Sequence, residues 1–265
     1  MRNSNKLIVI TRRLLTPDKI PGINIAAWFS TMESGSVILD GTTASQWSDI
    51  SGNNRHATQA TKANQPTYSA TGLNGKPTLT FDGLNDNLQA TIPSLANQNN
   101  ISFFGVTQIL ARKYSVFLGS GMSGSGGTTG IRWGLFGQGN LTSDGIGWAG
   151  PGSDLSLGNG SLLPINTPYQ AVYTKTPTQW QILLNGSTIS TVNDTSFPTS
   201  TYSLTIGAEK EGSYQSNALA SEIIIIGGIL STTDRQQLEG YFAWRWGLQA
   251  NLANNHPFKF SPPYI

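Results

Sequence analysis

The stretch Glu222-Ile-Ile-Ile-Ile-Gly-Gly-Ile-Leu-Ser-Thr-Thr-Asp-Arg-Gln-Gln-Leu-Glu-Gly-Tyr-Phe-Ala-Trp-Arg-Trp-Gly247 joins a strand to a helix. Glu222–Ile226 is a strand-like run. Ser231 is a good N-cap, and Asp234 stands three residues on in the pattern of a capping box. Leu238, Phe242 and Trp246 recur at i, i+4, i+8 as an apolar stripe, and Gly247 ends the helix. The spacing predicts one helix over 232–246.

Upstream of it the chain reads as strands. Asn74-Gly75, Asn159-Gly160 and Asn185-Gly186 suit tight hairpin turns, whose central positions need positive φ. Strand-like runs lie between turn signals at Ile23–Trp28, Thr78–Phe81, Ile101–Leu110, Tyr114–Leu118, Tyr169–Tyr173, Gln179–Leu184 and Tyr202–Ile206. Many short strands and one helix predict an antiparallel sandwich. Residues 119–160 are Gly-rich and read as a long loop or a hairpin with a mobile tip.

Two further phrases carry a resemblance. Asp40-Gly-Thr-Thr-Ala-Ser-Gln-Trp-Ser-Asp-Ile-Ser-Gly-Asn-Asn-Arg-His-Ala-Thr-Gln59 and Asn74-Gly-Lys-Pro-Thr-Leu-Thr-Phe-Asp-Gly83, together with residues 222–247, resemble the concanavalin A-like lectin/glucanase superfamily in its laminin-G-like jelly-roll branch. The resemblance spans residues 25–260. It implies an all-β, antiparallel jelly-roll sandwich with one short C-terminal α-helix, and a surface used for binding. It also places Trp28, Trp47, Trp244 and Trp246 in framework phrases, and hence in the core. Glucanases of the superfamily carry a Glu-x-Asp-x-x-Glu strand, a spacing that does not occur here.

Composition bounds the chemistry. The 265 residues can fill one large sandwich. There is no cysteine, so neither a disulfide nor a thiol nucleophile is available. Charged residues make up 11%, against about 25% in an average soluble domain. Net charge is +2 and the basic residues are scattered, which argues against nucleic acid. No apolar run approaches membrane-spanning length, and Leu7–Ile10 is too short for a signal peptide's apolar region. Walker and Gly-x-Ser-x-Gly patterns are missing, and two isolated histidines do not make a zinc site.

Candidate sites follow from these limits. Residues 1–24 read as an extended arm ahead of a domain at 25–265. Its Leu7, Ile8, Val9, Ile10, Arg12 and Arg13 would anchor the chain to a neighbour by strand addition. Sugar binding needs exposed aromatic faces flanked by amides and hydroxyls. Trp133, Phe136, Trp148 and Tyr214 are candidates for the first, and Gln138, Asn140, Asp144 and Asp154 for the second. Calcium is the most plausible cofactor, though none is required. Asp82, Asn85 and Asp86 offer hard oxygen ligands in one turn. Glu209-Lys-Glu211 is the nearest approach to a same-face carboxylate pair and reads as a solvated turn. His56 and His256 read as imidazoles that hold loops. The resulting expectation is a non-catalytic bacteriophage virion protein, a head decoration, fibre or tail-associated component on the particle surface. It would be homo-oligomeric or bound to other virion proteins, with affinity for cell-surface polysaccharide and none for nucleic acid or membrane. A bacterial surface lectin is the alternative, and a glycoside hydrolase or lyase the third reading.

Overall fold

A computed structural model describes residues 12–93, 100–111, 117–120, 131–136, 145–149, 165–195, 203–209 and 214–265. The strands are β1 Ile25–Ser30, β2 Val37–Asp40, β3 Thr43–Trp47, β4 Ala57–Thr58, β5 Thr67–Leu73, β6 Lys76–Asp82, β7 Leu88–Thr91 and β8 Ile101–Ile109. They continue with β9 Leu118–Ser120, β10 Ile131–Phe136, β11 Gly145–Ala149, β12 Tyr169–Lys175, β13 Gln179–Leu184, β14 Ser187–Asn193, β15 Ser203–Ile206 and β16 Asn217–Gly227. Helix α1 is Thr232–Trp246. The fold is an all-β antiparallel sandwich with one C-terminal helix.

The strands form one hydrogen-bonded sheet in the order β11-β10-β9-β15-β7-β4-β3-β5-β6-β16-β8-β12-β13-β14, with β1 on β16 and β2 on β3. The sheet folds over a core that includes Phe29, Trp47, Leu79, Phe81, Phe103, Trp180 and Ile223. A second core lies behind β8, β12, β13 and β16, where Phe104, Val172, Leu183, Ile224 and Ile226 meet Leu238, Tyr241, Phe242 and Trp246 of α1. Phe104 stacks on Phe242 with ring centres 6.0 Å apart.

Strand β16 explains the unbroken Ile223–Ile226 run. A strand covered on both faces needs no polar alternation. Ile223 and Ile225 enter the first core, and Ile224 and Ile226 the second. β16 pairs with β8 along one edge, and with β6 and then β1 along the other. The helix begins and ends as its residues dictate: Ser231 Oγ accepts from the Asp234 amide at 3.1 Å, and Gly247 takes φ +72°. The Asn-Gly turns at 74–75 and 185–186 have positive φ at both positions, as a two-residue hairpin turn requires. Asn159-Gly160 lies outside the described residues, as do 114–116 of the run expected to end at Leu118.

The expected arm is only partly described, since residues 1–11, including Leu7, Ile8, Val9 and Ile10, fall outside. Its remainder is packed rather than detached. Leu15 and Ile20 are 5% and 3% exposed and belong to the second core. Leu14 bridges Tyr264, the Leu15 amide donates to Pro263 O, and the Ile265 amide donates to Arg13 O. Arg12 lies over the Tyr264 ring at 5.7 Å. Apolar residues at 15 and 20 override the boundary that Pro17 and Pro21 suggest. Among the described residues, no helix is long and apolar enough to cross a membrane.

Candidate functional site

Of the sugar-binding residues expected between 119 and 160, Trp133, Phe136 and Trp148 lie on strands at one end of the sheet. β9, β10 and β11 run antiparallel there, with Trp133 in register with Trp148 and Phe136 with Gly145. Of the two forms expected for this stretch, loop or hairpin, the strands that carry Trp133 and Trp148 form the hairpin. Gln138, Asn140, Asp144 and Asp154 lie outside the described residues. Tyr214 is half-buried with φ +50°.

The Asp82 turn is built as the sequence suggests. Asp82 Oδ1 accepts from the amides of Leu84 and Asn85 at 2.7 and 3.3 Å, while Asp86 Oδ2 accepts from the Asp82 amide at 2.9 Å. Asp82 is exposed and Asp86 buried. Burial pushes the Asp86 carboxyl up to about 6; the Asp82 amide opposes the rise and the Asp82 carboxylate adds to it. The turn thus sets a readily protonated carboxyl beside a second, exposed acid. Among the described residues, no group of three acidic or imidazole side chains gathers as a metal cage. Asp82, Asn85 and Asp86 could offer calcium two carboxylates and an amide.

Most of the other buried carboxylates serve the framework. Glu222 is fully buried and accepts from Trp28 Nε1 at 2.7 Å, Tyr241 OH at 2.8 Å and Trp246 Nε1 at 2.5 Å, with Arg245 Nε 3.4 Å away. Burial raises its carboxyl above the ordinary range, and Arg245 and the three donors pull it back. Arg245 also pairs with Glu33. Glu239 binds Arg235 Nη1 at 2.5 Å and His256 Nε2 at 3.1 Å, while His256 Nδ1 accepts from the Phe258 amide. His256 therefore ties the C-terminal tail to α1. Asp49 accepts from the amides of Trp28, Ser51 and Arg55, and its own amide donates to His56 Nδ1 at 3.0 Å. Both histidines hold loops. Trp28, Trp47 and Trp246 are buried, and half-buried Trp244 donates to Phe258 O. Glu209 is fully buried, not in a solvated turn, and follows the buried Ile206 and Ala208; Glu211 lies outside the described residues.

A cleft of about 290 Å³ was not foreseen. It opens beyond the N-terminal end of α1, on the helix side of β8, β12 and β13. Ser102, Thr174 and Gln181 form its floor, and register sets Thr174 opposite both of the others. Thr188, Ile229, Leu230, Thr232 and Arg235 also line it. The strand pattern explains the floor. Two residues along each strand, the helix-facing side chain is Phe104, Val172 or Leu183 under α1. Beyond the helix the same rows turn polar.

No protein-family description and no curated protein matches this chain. Solved structures resemble its fold. An arabinofuranosidase complexed with arabinofuranosyl-alpha-1,2-xylobiose is 13% identical, with a TM-score of 0.61 over 84% of this chain and 63% of that one. Domain 4 of AbnA, a GH43 extracellular arabinanase from Geobacillus stearothermophilus solved with arabinotriose, is 15% identical, with a TM-score of 0.51 over 80% of this chain and 96% of that one. A mutant of Trypanosoma rangeli sialidase displaying trans-sialidase activity is 16% identical, with a TM-score of 0.52 over 84% of this chain and 33% of that one. The chain thus spans about a third of the sialidase and under two thirds of the arabinofuranosidase. These likenesses correct the expectation of a non-catalytic virion protein and of a chain with no enzymatic role: the sandwich is shared with proteins that cleave glycosides, and nothing supports a phage particle.

Proposed function

We propose that this chain is a glycan-active sandwich of concanavalin A-like type, which recognises a polysaccharide in the course of glycoside cleavage. The observation that carries this reading is the match to nearly the whole arabinanase domain solved with arabinotriose. A weakly charged surface rich in hydroxyls and amides supports it, since sugar recognition relies on neutral hydrogen bonding and apolar contact. The β10–β11 end of the sheet, with Trp133, Phe136 and Trp148, is one face for such a polymer, and calcium at the Asp82 turn is part of the same proposal.

Affinity electrophoresis in gels cast with arabinan, xylan or sialylated polysaccharide tests the binding. An assay for new reducing ends tests cleavage. Retardation by at least one polymer and release of reducing ends are expected. Unaltered mobility in all gels, with no new reducing ends, would overturn the reading.

A further inference from the structure

We propose that the cleft over Ser102, Thr174 and Gln181 is a binding site for a unit of a neutral sugar chain. This rests on the glycan reading above and adds a location and a ligand class to it. The cleft lies on β8, β12 and β13, near the opposite end of the strand order from β10 and β11.

Three observations carry the inference. First, the floor is built from side chains that both donate and accept, as sugar hydroxyls do. Among the described residues, none hydrogen-bonds to the hydroxyls of Ser102, Thr174 and Thr188 or to the Gln181 amide. Ser102 is only 3% exposed, yet it lines the opening. Secondly, the rim is apolar on one side. Ile229 is 68% exposed and stands beside Leu230, a surface for sugar C–H groups. Thirdly, the cations at the cleft are already engaged. Lys175 Nζ donates to Thr176 O at 2.6 Å and Asp194 O at 2.8 Å, and Arg235 is paired with Glu239. The first turn of α1 is capped by Ser231 and carries Asp234. Lys175 is 2% exposed with its donors turned to carbonyls, and the charge of Arg235 is matched by Glu239, so neither cation is presented openly to a phosphate or a uronic acid. A volume near 290 Å³ sits at the lower end of ligand pockets, about 300–1,000 Å³, and suits a short piece of a chain.

Calorimetric titration of the full chain provides the test. The probes are arabinotriose and xylobiose as neutral sugars, with trigalacturonate and inorganic phosphate as anions. Thr174→Val and Gln181→Ala remove polar atoms from the floor, and an unchanged melting temperature shows that each variant is folded. Binding of a neutral probe, weakened about tenfold in either variant, is expected from the loss of one or two hydrogen bonds. Neutral binding that ignores both substitutions overturns the cleft and leaves the glycan reading standing. Binding of the anions alone overturns the ligand class. Binding of no sugar by the wild type, neutral or acidic, overturns the inference and the glycan reading together.

Discussion

Glu222 and Trp246 are joined by a 2.5 Å hydrogen bond from the indole Nε1 to Oε2, across the contact between β16 and α1. The same carboxylate holds Trp28 of β1 and Tyr241 of α1. One buried side chain thus fixes the helix to the sheet. Glu222→Ala leaves three donors without their acceptor and Arg245 with Glu33 alone. The expected loss is about 3–5 kcal/mol of unfolding free energy, measured by chemical denaturation. A loss under about 1 kcal/mol would show that the helix does not depend on this carboxylate.

Asp86 gives stability a pH dependence with a definite sign. Its carboxyl titrates near 6 when folded, above the ordinary value of 3.8, so the native state holds the proton more tightly. Its contribution to stability is therefore greatest in acid and is lost as pH rises from about 4 to about 6. The fall should be roughly 1–2 kcal/mol once solvent screening is allowed for. Asp86→Asn should flatten this slope in denaturation midpoints taken across that window. An unaltered slope would assign the titration to another group.

Leu15 and Ile20 are expected to behave as core residues. Ile20→Ala should cost about 2–4 kcal/mol, because it empties part of the second core under α1. A chain starting at residue 25 should melt at lower temperature than the full chain. Equal melting temperatures would restore the picture of a detached arm.

Gly207 should tolerate no side chain. Its φ is +84°, and an added Cβ would stand 2.1 Å from Phe81 Cδ1 in the first core. Gly207→Ala should cost about 2–4 kcal/mol from overpacking and backbone strain together. Thermal melting checks it; a change of less than a degree or so would mean that β15 and Phe81 shift freely.

Elements written in short-range chemistry were legible without a structure. Ser231, Asp234 and Gly247 bound the helix, and its stripe of Leu238, Phe242 and Trp246 is the buried face. The Asn-Gly turns at 74 and 185 set their hairpins because few residues accept positive φ at both positions. Short strands such as β4 and β7 were missed. A two-residue strand has no periodicity of its own and exists only because its neighbours supply the ladder.

The sequence alone determined the class of fold, the single helix and the residues of the Asp82 turn, since these depend on propensities and caps acting within a few positions. Only the tertiary structure decided which polar residues meet. Trp28 reaches Glu222 across a separation of 194 residues. Glu209 is buried where its polar neighbours suggest solvent. The cleft floor exists because Ser102, Thr174 and Gln181 fall into register just beyond the end of α1. Such meetings are set by strand pairing and by where the helix stops covering the sheet, and no local spacing encodes either.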